Sequence, residues 1–215
     1  MYSEHRIDLV LDHSALIPCS HKPKEEKSAI HDLGDALPTI NAVWHISRDF
    51  LKALKGKFCK HEERETLPRL QRVLVSEIGL LLEKASVKSA FCKPWSPDRY
   101  WHLKFHVVAR SAIKYLAEAE MYQNLYRELE HADSEFKLNN EDKEVVAIAI
   151  ILAKQSVDYS LVLVTTDSGI EDFVKKINKN EGLHREINVL KPSRLLEMLH
   201  GQKIQAVNHW NHVFK

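Results

Sequence analysis

The sequence predicts an α/β fold, a mainly parallel sheet with helices on its faces, because apolar strand-length runs alternate with helical patterns. Leu161-Val162-Leu163-Val164 is one such run, and the turn Thr165-Thr166-Asp167-Ser168-Gly169 hands it to a helix through Ile170, Phe173, Val174 and Ile177. Ile187 to Leu190 repeats the arrangement, with Pro192 and Ser193 opening a helix that carries Leu195, Leu196 and Leu199. At the other end of the chain, Ile7-Asp8-Leu9-Val10-Leu11-Asp12 is apolar except for its acids and rich in branched residues. It reads as a central strand ending at Asp12.

Between these strands the pattern is read element by element. Cys19 to Pro38 is polar, with Lys22, Lys24, Glu25, Glu26 and Lys27 grouped, and reads as a solvated loop or short helix. Thr39 to Leu54 places Ile40, Val43, Trp44, Ile46, Phe50, Leu51 and Leu54 at helical spacing after Pro38, so an amphipathic helix is expected there. Arg72 to Glu77 reads as a short strand running into a helix from Glu77 to Lys84. Trp101 to Glu130 lacks Gly and Pro and reads as one long helix or a helical hairpin. Val145 to Ala153 is too long for most strands and too apolar for a surface helix, so a helix buried on nearly every side is expected, with Asp142 near its start.

Composition narrows the function classes. The chain has 215 residues, 44% hydrophobic and 28% charged, which is globular composition with enough length for one large domain or a domain with an insertion. A net charge of +1 supplies no bulk positive field, so any nucleic-acid binding has to come from a local patch. Cys19, Cys59 and Cys92 are far apart and form no C-x-x-C pair, which argues against a disulfide framework and against a thiolate zinc cage. The first apolar run is short and contains Asp8, and no stretch approaches the roughly eighteen apolar residues of a membrane span. A cytoplasmic protein without a membrane partner is the expectation. His102-x-x-x-His106 and His209-x-x-His212 could each share a helical face, but no third ligand stands nearby in sequence, and solvated or hydrogen-bonded histidines are the better reading.

The acids carry the chemistry. In a parallel sheet the ligand crevice lies beyond the carboxyl ends of the strands, and Asp12 and Asp167 both occupy that position. Asp142, opening the buried helix, can point into the same crevice, and Glu77 opens the helix after the short strand. Carboxylates converging without basic neighbours repel one another, an arrangement that divalent cations relieve. Oxygen ligands favour Mg²⁺ or Mn²⁺ over zinc, and such an ion lowers the pKa of bound water for attack on a phosphodiester. Taken singly, each acid has an ordinary alternative: a turn cap for Asp12, a helix cap for Asp142, a side-chain turn for Asp167. Ser14 and Thr165 are placed to orient the carboxylates. His13 is expected to be an exposed neighbour, since adjacent residues leaving a strand point to opposite sides.

The run Ile7 to Asp12 with Ser14, then Asp142-x-x-Val145-Val146-Ala147-x-Ala149, then Leu163-Val164-Thr165-Thr166-Asp167 with Phe173, and Val189-Leu190-x-Pro192 together resemble the PIN domain. The resemblance covers about the first fifteen residues and Leu138 to Leu199, and the middle of the chain matches poorly. It implies a three-layer α/β/α fold over 1–215 as a single domain, with 91–136 as a helical insertion, and a metal-dependent endoribonuclease. Carried over by position, Asp12, Asp142 and Asp167 are the metal-binding acids, Glu77 the remaining catalytic acid with Glu83 in reserve, and Mg²⁺ or Mn²⁺ the cofactor. RNA is the implied partner, with Lys175, Lys176 and Lys179 offered to its backbone against the plainer reading of a solvated helix end. An antitoxin, another RNA-processing chain or a second copy of this chain remain open as protein partners.

Departures from the pattern keep a second class in view. Asp172 lies further from Asp167 than the common Asp-x-Asp-Phe spacing, and the middle segment is long for a compact toxin. A catalytically degenerate scaffold that binds RNA or protein therefore stands as the alternative. Dehalogenase-type phosphoryl transfer would need Asp-x-Asp where this chain has Asp12-x-Ser14. A receiver domain would use Lys191-Pro192, but it lacks its phosphoacceptor strand here.

Overall fold

β1 (Ile7–Leu11) is buried along its whole length and lies at the centre of an all-parallel sheet, the place for a strand without a polar face. β2 (Ala42–Ser47) pairs with it on one side and carries β3 (Lys104–Val108) at its outer edge. β4 (Ser160–Val164) pairs on the other side and carries β5 (Ile187–Leu190), giving the order β3-β2-β1-β4-β5. The computed structural model of the chain describes residues 6–16, 23–36, 42–53, 104–108, 110–157, 159–179 and 182–200. Because β2 and all but the first residue of β4 are also buried, both faces of the sheet are covered, which is the expected three-layer α/β/α arrangement.

The helices are α1 (Lys24–Ala36), α2 (48–53), α3 (Ala112–Glu118), α4 (Gln123–Glu130), α5 (Ala132–Phe136), α6 (Asn140–Ala153), α7 (Ser168–Ile177) and α8 (192–200). Single 3-10 turns occupy His13–Ala15 and Glu120–Tyr122. α6 is the buried helix the sequence predicts: from Asp142 to Ala153 only Ile151 is not fully buried, and the helix packs on β1, β2, β4 and β5. Its start is fixed by a capping box, in which the Asn139 side chain accepts from the Glu141 and Asp142 amides while Asp142 Oδ2 accepts from the Asn139 amide at 3.0 Å. Glu144, buried one turn on, accepts from Ser111 Oγ and from the Ala112 and Ile113 amides at 2.8, 2.6 and 3.2 Å, so its carboxylate caps α3. A Cβ on Gly169 would lie 2.2 Å from the Phe136 carbonyl oxygen, so only glycine lets the first turn of α7 come this close to the end of α5.

Several expectations are corrected. The helix read over Thr39 to Leu54 is instead β2 followed directly by α2, because a short run of apolar residues fits either period and burial on both faces decides for a strand. The helix read over Trp101 to Glu130, and with it the purely helical insertion at 91–136, contains β3, an edge strand of the main sheet. His106 accordingly sits on a strand, and His102 lies outside the described residues. The polar stretch after Cys19 contains α1, which buries Ala29, Ile30 and Leu33. The strand and helix expected over 72–84 lie outside the described residues, as do His209 and His212.

Asp8, fully buried inside β1, is neutralised from three sides. Arg185 Nη1 reaches Oδ2 at 2.9 Å, while Arg6 Nη2 and His45 Nε2 reach Oδ1 at 2.9 and 2.8 Å. Arg185 also donates to the carbonyls of Leu152 and Tyr159, tying the end of α6 to the start of β4. His45 Nδ1 faces His106 Nδ1 at 3.1 Å, so one of the two nitrogens carries the shared proton. Burial, with the positive charge of His45 and Arg6 behind it, pushes the His106 pKa down to about 4, so that ring is neutral at pH 7. Burial pushes the Asp8 carboxyl up, but the His45 and Arg185 hydrogen bonds and the charges around it hold it far below the usual carboxylate range. Removing the charge leaves cations buried without a counter-ion. Asp8→Asn should lose about 3 kcal/mol in denaturant unfolding at pH 7. Because the native pKa is lowered, that stabilisation is complete above the ordinary value of 3.8 and is lost only as pH falls through the native one. The deficit should therefore be as large at pH 5 as at pH 7.

Candidate metal centre

The strand order places β1 and β4 side by side while the chain leaves them for opposite sides of the sheet. The crevice beyond their carboxyl ends is the switch point at which open parallel sheets bind ligands. Asp12 follows β1 directly, and its amide still donates to the Val164 carbonyl at 3.0 Å, the last rung between the two strands. Beyond it the 3-10 turn begins, with Asp12 as its N-cap. Residues 12–33 contain no glycine, so no glycine-rich phosphate loop follows β1 as it does in dinucleotide-binding sheets.

Asp12 is fully buried and held from one side. Its Oδ2 accepts from the Ser14 amide at 3.2 Å and from Thr165 Oγ1 at 2.9 Å. Since the Thr165 hydroxyl proton is committed to Asp12, the 3.2 Å contact between Ser14 Oγ and Thr165 Oγ1 runs from serine to threonine. Ser14 Oγ in turn accepts from the Thr166 amide at 2.9 Å, and Thr165 Oγ1 accepts from the Asp167 amide at 3.0 Å. The two hydroxyls thus lock the ends of β1 and β4 together and fix one carboxylate. Burial pushes the Asp12 pKa up, but the close imidazole of His13, the Ser14 amide and the Thr165 hydroxyl outweigh it and hold the value below normal.

The other oxygen of Asp12, Oδ1, is buried. His13 Nδ1 stands 2.8 Å from it. Asp142, 2% exposed, points to the same place from the first turn of α6. Its Oδ2 belongs to the capping box, whereas its buried Oδ1 has no hydrogen-bond partner among the described residues. One ligand atom from each of Asp12, His13 and Asp142 lies within 4.8 Å of the others. Burial, the charge of Asp12 and that of Asp167 push the Asp142 pKa up to about 6 against the Asn139 amide and His13. An unpartnered buried oxygen beside a second ionised carboxylate, with neither acid paired with a Lys or Arg among the described residues, suits a divalent cation.

The remaining candidates are placed less centrally. Asp167 is exposed and caps α7, its Oδ1 accepting from the Gly169 and Ile170 amides at 2.7 and 3.3 Å. It lies close enough to raise the Asp142 pKa but outside the 4.8 Å group. Asp172 pairs with Lys175, which also reaches Glu171. Lys176 pairs with Glu128 and Glu135, so the charges of both lysines are met by acids of the chain, while Lys179 is exposed. Glu77 and Glu83 lie outside the described residues.

Sequence reasoning missed His13. Alternation along a strand sends it away from Asp12, but the chain leaves β1 into a 3-10 turn, which swings the ring back; Ser14, a capping-type residue two positions on, is the available signal. A cleft of about 220 Å³ adjoins the site, lined by Thr165, Glu171, Val189, Leu190, Lys191 and Arg194, and its two basic residues also went unremarked as a pair. No family model matches the chain, and neither a curated protein nor a solved structure matches it significantly. Among the described residues no helix is long and apolar enough to cross a membrane.

In metal-free protein the ionised Asp142 is a strain on the fold. A native pKa raised above the ordinary 3.8 means that stability falls as pH rises from about 4 to about 6 and stays reduced above. Asp142→Asn, which keeps the capping acceptor, should therefore raise stability by about 1–2 kcal/mol at pH 7 without divalent ions. In thermal melts that advantage should shrink at pH 4.

Proposed function

We propose that the chain is a metal-dependent endoribonuclease of the PIN-domain type. The observation that carries this reading is the convergence of Asp12 and Asp142 at the switch point, two buried carboxylates of which one offers an oxygen without a partner. Both would hold Mg²⁺ or Mn²⁺, which when bound neutralises the acids and lowers the pKa of a coordinated water. Thr165 and Ser14 keep Asp12 ionised and oriented, so its other oxygen needs no rearrangement to serve. Asp142, with its pKa near 6, gives up its proton readily near neutral pH once a cation is offered. Asp167 stands at the rim, where it would contribute through a water molecule or not at all. Lys191, in the adjoining cleft, supplies positive charge for a neighbouring phosphate, whereas Arg194 beside it is paired with Glu197.

RNA as the substrate follows from the PIN resemblance, and with it an intracellular partner of the antitoxin or RNA-processing kind. A binding scaffold without catalysis is the second reading, favoured by one observation: the acid after β4 spends its Oδ1 on capping α7. An end-labelled RNA of mixed structure separates the two. With Mn²⁺ the wild-type protein should cut it internally, and EDTA or Asp12→Asn should each reduce the rate by about 10²-fold or more, the effect of losing several kcal/mol of transition-state stabilisation. Cleavage that survives both controls, or no cleavage at all, rejects the nuclease reading.

A further inference from the structure

We infer that His13 is a ligand of the same metal centre, which makes it a mixed nitrogen and oxygen site selective for a divalent transition ion over Mg²⁺. The inference rests on the reading that Asp12 and Asp142 hold a divalent cation, and it names the third donor. Three observations support it. The 3-10 turn after β1 carries the His13 ring to the crevice side, where Nδ1 is 2.8 Å from Asp12 Oδ1. Neighbouring ligand atoms around a six-coordinate ion with bonds of about 2.1 Å are roughly 3 Å apart, so these two atoms already span one edge of a coordination shell. Asp142 is buried with an unpartnered Oδ1, and one donor atom from each of the three residues falls within 4.8 Å of the others.

Asp167 Oδ1 accepts two amides at the start of α7, and the residue lies outside the donor group. Among the described residues the third protein donor is therefore an imidazole. Mg²⁺ prefers oxygen ligands and holds its water tightly, whereas imidazole suits the first-row transition ions and gains in affinity along that series. Two carboxylates and one histidine leave open positions for water and for a phosphate oxygen, so the added nitrogen changes which ion is held without closing the site.

Mn²⁺ alone, added to metal-free full-length protein, is the probe, with pulsed electron paramagnetic resonance reading the ligand nuclei and Mg²⁺ competition reading selectivity. The wild type should show nitrogen modulation from a directly bound histidine. His13→Ala should lose that modulation and bind Mn²⁺ about tenfold or more weakly, at least the loss seen when an outer-shell partner is removed. Its Mg²⁺ affinity should change much less. His13→Asn, which keeps a polar side chain in the turn, repeats the comparison should the alanine variant not fold. Mn²⁺ bound by the wild type without nitrogen modulation, or an unchanged Mn²⁺ to Mg²⁺ ratio in either variant, overturns the inference and leaves the carboxylate site intact. Mn²⁺ binding that is absent from the wild type, or that survives in Asp12→Asn, overturns the metal-centre reading itself.

Discussion

Asp8 inside β1 and Asp12 directly after it are both buried, and α6 packs against β1. Burying them is the constraint around which the rest is arranged. A parallel sheet puts the end of α6 near the start of β1 and the beginning of α6 near its end, so each acid meets one terminus of the same helix. At the Asp8 end, Arg185 links the carboxylate to the last carbonyls of α6, where positive charge also suits the helix dipole. At the Asp12 end the opposite polarity holds, with a helix N-terminus, a second carboxylate and, among the described residues, no arginine or lysine paired with either acid. The fold thus neutralises the buried acid at one end of β1 and leaves Asp142 without a cation at the other.

That asymmetry separates structural acids from chemical ones more sharply than burial does. Asp8, Glu144, Asp12 and Asp142 are all nearly inaccessible. Asp8 has two arginines and a histidine, and Glu144 has a hydroxyl and two amides. Asp142, two residues before Glu144 on the same helix, satisfies one oxygen by capping and keeps the other bare. Lys143 between them turns away, reaching Asp133 at 2.6 Å and the Glu130 carbonyl at 3.1 Å. A cation that could have neutralised the crevice is used to hold α6 against α4 and α5 instead.

Much of this was legible in the residues, and the failures have physical causes. Strands whose apolar runs end in turn chemistry, at Asp12, at Thr165 to Gly169 and at Pro192, were readable because run and punctuation agree. α6 was readable because its apolar run, Val145 to Ala153, is too long for most strands. β2 and β3 were not, since Trp44, Ile46 and their neighbours satisfy a helical period by coincidence and pairing with distant strands decides the outcome. Position at strand ends picked out Asp12, Asp167, Ser14 and Thr165, and position at the start of the buried helix picked out Asp142, as neighbours of one crevice. How those residues divide their hydrogen bonds depends on turn geometry that sequence does not encode locally, which is why Asp167 turned out to be a cap and His13 to face inward.

The hydroxyl of Thr165 reaches Asp12 across 153 residues of chain, and β1 pairs with β4 over the same span. A contact of such length is formed late, because the loop it closes must first be gathered against its own entropy. During synthesis β1 keeps one of its edges unpaired until β4, 153 residues further along, has been made. The crevice is therefore assembled only after β4 has emerged. An incomplete product, truncated anywhere before β4, carries Asp12 but neither the partner strand nor the hydroxyl that would aim it.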